Sequence, residues 1–87
     1  MESSRSILAE VRVELKPGIL DAEADSVLKS LGLLGIGPVA TVRTAKVFAL
    51  EFRDVDAAAA EKLARDAVDR LLANPVIHTV SITVRSP

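Results

Sequence analysis

Apolar and polar positions along the chain follow two periods, and the change between them is sharpest at Leu71–His78. Upstream, Ala60, Ala64, Ala67, Val68 and Leu71 recur at helical spacing. Downstream, Val76, His78, Val80, Ile82 and Val84 alternate with Ile77, Thr79, Ser81, Thr83 and Arg85, which is strand spacing. Asn74 is among the few non-glycine residues that tolerate the left-handed conformation closing a helix, and Pro75 lacks the N–H that continuing it would need. The pattern predicts a helix ending near Ala73 and a strand leaving it in fixed register. A one-residue slip would turn Val80, Ile82 and Val84 to solvent.

Earlier in the chain, Ile7, Ala9, Val11, Val13 and Leu15 alternate with Glu10, Arg12, Glu14 and Lys16, predicting a first strand with one covered face. Lys16-Pro17-Gly18 ends it, because Pro removes a ladder donor and Gly permits backbone that other residues avoid. Asp21 is placed to cap a helix whose apolar stripe is Ala24, Val27, Leu28 and Leu31, and Glu23 adds favourable charge to its first turn. Gly32 or Gly35 closes that helix. In the next strand region, residues 39–52, Val42, Phe48, Leu50 and Phe52 share a phase that runs through Lys46. A bulge near Thr44-Ala45-Lys46 or a tight hairpin there would keep Lys46 out of the core. Asp54 or Asp56 caps the second helix, whose outer face pairs Glu61/Arg65, Lys62/Asp66, Arg65/Asp69 and Asp66/Arg70 at i,i+4.

The order is therefore β-α-β(β)-α-β. The expected fold is α+β, a two-layer sandwich in which crossover connections place both helices on one face of a small sheet. Residues 1–6 read as a flexible lead and 7–87 as one domain. The opposite sheet face and the edges are left for another chain, a dimer contact above all.

Composition sharpens this picture in one respect. Of the 87 residues 49% are hydrophobic but only 2% aromatic, and alanine, with little side chain to bury, supplies much of the apolar count. A domain this small has a marginal core, so sharing stability with another subunit is expected. The formal net charge is -1, and no basic stretch is interleaved with aromatics, which argues against a nucleic-acid platform. The absence of Cys removes disulfides and thiolate chemistry, and the lack of a long apolar run argues against a signal peptide or membrane span. A soluble cytoplasmic protein is the expectation.

Candidate chemistry is sparse. Acyl transfer needs an activated nucleophile beside a positioned base, and the single His, His78, sits beside the Asn74-Pro75 corner as a partly exposed edge residue. Asp54, Asp56, Glu61, Asp66 and Asp69 serve caps and helix pairs, so no catalytic, cofactor-binding or metal-ligating residue is expected. Gly32, Gly35 and Gly37 lack the Lys-Ser/Thr of a phosphate loop and precede a strand. Arg12, Lys16, Arg43 and Lys46 are candidates for a patch on the open sheet face. Ile19 and Leu20 are either a local staple over the helix start or an apolar knob for a partner.

Taken together, Val11-Arg12-Val13-Glu14-Leu15-Lys16-Pro17-Gly18-Ile19-Leu20-Asp21, Val42-Arg43-Thr44-Ala45-Lys46 and Leu71-Leu72-Ala73-Asn74-Pro75-Val76-Ile77 resemble the PurS family. This is the small subunit of phosphoribosylformylglycinamidine synthase, a ligase complex of purine biosynthesis. The resemblance implies a non-catalytic assembly subunit that forms a homodimer or tetramer and joins a large synthetase subunit (PurL) to a glutaminase subunit (PurQ). Ammonia from glutamine would pass between those partners, and ATP and Mg would be held by the synthetase. Where the family commonly continues with Pro-Gln-Gly this chain has Ala22-Glu23-Ala24, and a usual Gly is Ala45. Pro17, Gly18, Leu20, Asp21, Arg43, Lys46, Asn74 and Pro75 carry over as structural or interface positions, with Lys16 and Ile19 beside them. A rival reading is a small-molecule regulatory module of the ACT type, suggested by the Gly32–Gly37 loop and the chain's size.

Overall fold

The computed structural model describes residues 6–86; the lead expected at 1–6 lies outside them except for Ser6, which opens the first strand. Strand β1 (Ser6–Leu15) is central, flanked by β2 (Ala45–Arg53) and β3 (His78–Arg85), with both pairings antiparallel. Helices α1 (Ala22–Leu33) and α2 (Ala57–Ala67) complete the α+β order, and α2 is extended by a π-helical turn, Val68–Leu72.

The register follows the hydrophobic phase. Val11 faces Phe48 on one side and Ile82 on the other, and Ala9 lies between Leu50 and Val84. Ala60, Ala64 and Val68 are buried on α2, and Ala64 and Val68 join Ala9, Val11 and Val13 in the core. Val11 is the largest fully buried side chain. Alanine on the helix lets it lie close to the sheet, so the core is thin.

Topology explains why the helices differ. Because β2 and β3 both run antiparallel to β1, they are parallel to each other with β1 between them. The β2–α2–β3 connection must therefore return along the sheet, and α2 packs on β1 and β3. By contrast α1 links two adjacent antiparallel strands at the same end of the sheet. No crossover is required of it. It extends past that end, with only Ala24 buried, and is not packed to a comparable extent on any strand. Glu23 in its first turn still borders the same cleft as Val13, Phe48 and Leu72 on the α2 side. The chain is accordingly elongated, 55 × 31 × 15 Å.

Several local expectations are corrected. The β1–β2 register is unbroken from Ser6↔Arg53 to Glu14↔Ala45, so there is neither a bulge nor a hairpin at Thr44–Lys46. The strand simply begins at Ala45. Lys46 stands opposite Val13 at the sheet end, where its stem follows the apolar face and its ammonium lies 5.9 Å from the Phe48 ring centroid. Asn74 is not left-handed; among the described non-glycine residues only Asp54 has positive φ, at 63°. The second-helix cap is Asp56, which accepts from Ala59 N at 2.8 Å. Of the four charge pairs on α2, Asp66–Arg70 closes, at 3.0 Å.

Gly35, at φ +84°, closes α1. Ile36 N donates to Leu31 O and Gly35 N to Gly32 O, the paired bonds of a Schellman end. A Cβ at Gly35 or Gly32 would meet no atom within 4 Å, so substitution acts through the backbone alone. Gly35→Ala is expected to weaken α1 by about 1 kcal/mol and Gly32→Ala to strengthen it by about 0.5–1 kcal/mol. Amide hydrogen exchange along α1 reads the two opposite shifts.

Candidate docking surface

The loop after β1 is built by its sequence. Pro17 and Gly18, the latter at φ +88°, occupy the central positions of a turn closed by Ile19 N donating to Lys16 O at 3.1 Å, the arrangement of a type II turn. Lys16 N donates to Ile77 O at 2.8 Å, fastening the loop to the corner before β3. Asp21 then accepts three hydrogen bonds: from Ala24 N (2.9 Å), Thr44 N (3.1 Å) and Thr44 Oγ1 (2.8 Å). One carboxylate thus caps α1 and ties the loop to the residue preceding β2.

These bonds hold the Asp21 carboxyl below the usual aspartate range, the Ala24 N–H contributing most, then the Thr44 hydroxyl and N–H. Since the folded value is depressed, the stabilisation is complete above the unfolded value and is lost as pH falls through the folded one. Asp21→Asn cannot titrate there. The stability advantage of the parent over Asp21→Asn is therefore expected to shrink steadily below about pH 4, measured by denaturation at stepped pH.

A recess of about 220 Å³ lies between this loop and residues 42–44, lined by Lys16, Pro17, Gly18, Ile19, Asp21 and Arg43 among others. Six of the residues singled out from sequence thus share one recess. Leu20 projects beside them, 76% exposed. A staple over the helix start would need an apolar fourth helical residue, and that position is Asp25, so the expected staple does not form.

The other predicted positions fall elsewhere. Lys46 borders a second cleft, also about 220 Å³, with Val13, Phe48, Leu72 and His78. Arg12 is on the opposite sheet face, paired with Glu14 at 3.0 Å, and Arg85 there pairs with Glu10 at 3.1 Å. The four basic residues therefore do not form one patch. Asn74 and Pro75 make the corner: Asn74 Oδ1 accepts from Val76 N, and Asn74 O from Ile77 N and His78 N. Asn74 N donates to His78 Nδ1 at 2.8 Å, so that imidazole nitrogen serves the turn. Gly32–Gly37 is a helix stop and the peptide after it.

Sequence reasoning missed Thr44, whose partner lies 23 positions away. Among the described residues no group of three His, Asp or Glu side chains gathers as a metal site, and no helix is long and apolar enough to cross a membrane.

A thin-cored three-stranded sheet, a helix that stands off it and a loop fastened around a recess together define a small α+β domain. The chain belongs to the PurS family: the family model, described as phosphoribosylformylglycinamidine (FGAM) synthase, matches residues 8–86. A relative from Archaeoglobus fulgidus, phosphoribosylformylglycinamidine synthase subunit PurS, is 40% identical over 79 residues, covering 91% of this chain and 99% of the relative. Among solved structures, Methanocaldococcus jannaschii PurS superposes with a TM-score of 0.83 at 30% identity, covering 93% of this chain and 98% of that one. A chain of the Thermotoga maritima PurLQS structure has a TM-score of 0.83 at 20% identity, covering 92% and 98%, and shares the fold.

Proposed function

We propose that this chain is the assembly subunit of a cytoplasmic phosphoribosylformylglycinamidine synthase in purine biosynthesis. It works as a homo-oligomer and joins a large synthetase subunit to a glutaminase subunit. The observation that carries this reading is the Lys16–Asp21 loop. It is rigid, fastened at Ile77 and Thr44, lined with both charges, and topped by an exposed leucine. A fixed rim around an apolar anchor is the composition of a protein contact. Family membership and the PurLQS assembly of a protein with this fold support the choice of partners.

In this reading ATP and Mg are bound by the synthetase and glutamine is hydrolysed by the glutaminase. This chain's residues position those two bodies so that ammonia is delivered before it escapes. The experiment is association of the purified chain with both partners under substrate-saturating conditions, read by light scattering after size exclusion. A ternary complex is expected; failure of this chain to co-elute with either partner would reject the proposal.

A further inference from the structure

One side chain closes the corner to which the docking loop is tied. Asn74 is the hub of that corner: its carbonyl accepts from Ile77 N (3.1 Å) and His78 N (2.8 Å), and its Oδ1 accepts from Val76 N (2.9 Å). Its own N–H donates to His78 Nδ1 at 2.8 Å. Inside the same corner the Ile77 carbonyl accepts from Lys16 N at 2.8 Å. The imidazole thus closes a turn that in its next bond fastens the Lys16–Asp21 loop.

An Nδ1 that accepts carries no proton, so the ring is neutral with its hydrogen on Nε2. Protonation makes Nδ1 a donor facing a donor. The Asn74 N–H then loses its partner and the ring has to turn away. Because the bond is made only to the neutral ring, its stabilisation is complete at alkaline pH and is lost as pH falls and the ring takes up a proton. Histidine as a residue type changes charge between about pH 5 and 8, and this chain has one.

His78 lies at the junction of two clefts. Glu23 of α1 and Lys46 of β2 border one; Arg65 of α2 and Asp69 of the π-helical turn border the other. Glu14 of β1 also borders the first, with its carboxylate paired to Arg12 at 3.0 Å. Each cleft therefore holds one unpaired acid and one unpaired base among the described residues, and neither sign of charge dominates around the ring. What protonation changes is the Asn74 contact.

We propose that His78 is a proton-operated latch for the docking loop. Neutral, it holds the corner closed and the loop fastened; protonated, it releases the corner and, through Ile77, loosens Lys16. The latch is a property of the single chain, and only its use in assembly rests on the reading above. Asp21, the other titrating tie of this loop, lets go in stronger acid, because its carboxyl is held below the usual aspartate range. The two ties are separated by pH.

The isolated chain is followed by nuclear magnetic resonance between about pH 8 and pH 5. At the alkaline end the imidazole nitrogen shifts should show a bare Nδ1 and a protonated Nε2. As the ring takes up its proton, hydrogen-exchange protection of the Asn74 amide should fall roughly fivefold, and that of the Lys16 amide should fall with it. His78→Asn places an amide oxygen where Nδ1 stood and does not titrate, so both amides should keep their protection across the range. His78→Leu offers no acceptor, and its Asn74 amide should be equally unprotected at both ends. Circular dichroism confirms the fold of each variant. A proton on Nδ1 at the alkaline end, protection of Asn74 or Lys16 that does not change with pH, or a fall that persists in His78→Asn would each overturn the latch. Failure of the chain to bind its partners at any pH would remove the docking reading and leave the latch standing, since every readout is taken on the chain alone.

Discussion

Replacing Val11 with Asp is expected to abolish the folded state. Val11 is fully buried on the central strand, between Phe48 and Ile82, in the core formed with Ala64 and Val68. No polar or charged residue is buried among the described residues, and the backbone groups of β1 are already paired in the sheet, so an aspartate there would have no partner. An unpaired buried charge costs several kcal/mol, and the lost valine contacts add to it. A small domain holds only about 5–15 kcal/mol in total, and one with a core this thin sits at the low end. Thermal melting by circular dichroism should show no cooperative transition. The control is Val47→Asp on the opposite face of β2, 54% exposed, which should stay within about 0.5 kcal/mol of the parent. A normal melt for Val11→Asp would mean the core has been misassigned.

The second large effect concerns assembly. Leu20→Asp is expected to leave the melt and the dichroism unchanged, because the side chain is 76% exposed and the Asp21 cap beside it is intact. If Leu20 anchors a partner, its burial contributes about 1.5–3 kcal/mol to the contact, and a carboxylate in its place adds a desolvation penalty. Association should weaken by at least roughly tenfold, and glutamine-dependent turnover at limiting subunit concentration should fall with it. Unchanged affinity with an unchanged fold would remove the loop from the interface.

What could be seen in the sequence was what repeats locally. The alternation from Ile7 to Leu15 and from Val80 to Val84 set both strands and their inward faces, and Asp21 and Asp56 marked helix starts with their side-chain oxygens. The direction in which neighbouring strands run leaves no such trace. A strand–helix–strand string reads the same whether the helix crosses a sheet or hangs from its end, so α1 and α2 looked equivalent. Lys46 misled for a related reason: its phase is that of the core, but at the first turn of a strand a long side chain can follow the apolar face outward. The Asp21–Thr44 tie joins residues far apart in the chain, and no spacing rule announces it. At Asn74 the side chain solved the corner by hydrogen bonding rather than by left-handed backbone. Lys16, Pro17, Gly18, Ile19, Asp21 and Arg43 were found as separate blocks of sequence, and the fold brings those six to one recess.

The central claim is that this chain couples two active sites it does not contain. Its most direct test is formation of formylglycinamidine ribonucleotide by the synthetase and glutaminase subunits, with glutamine or with ammonia, in the presence and absence of this chain. Glutamine-dependent turnover should appear when the chain is added, while the ammonia-dependent rate changes little. If neither rate responds and no complex forms, the chain is not the assembly subunit proposed here.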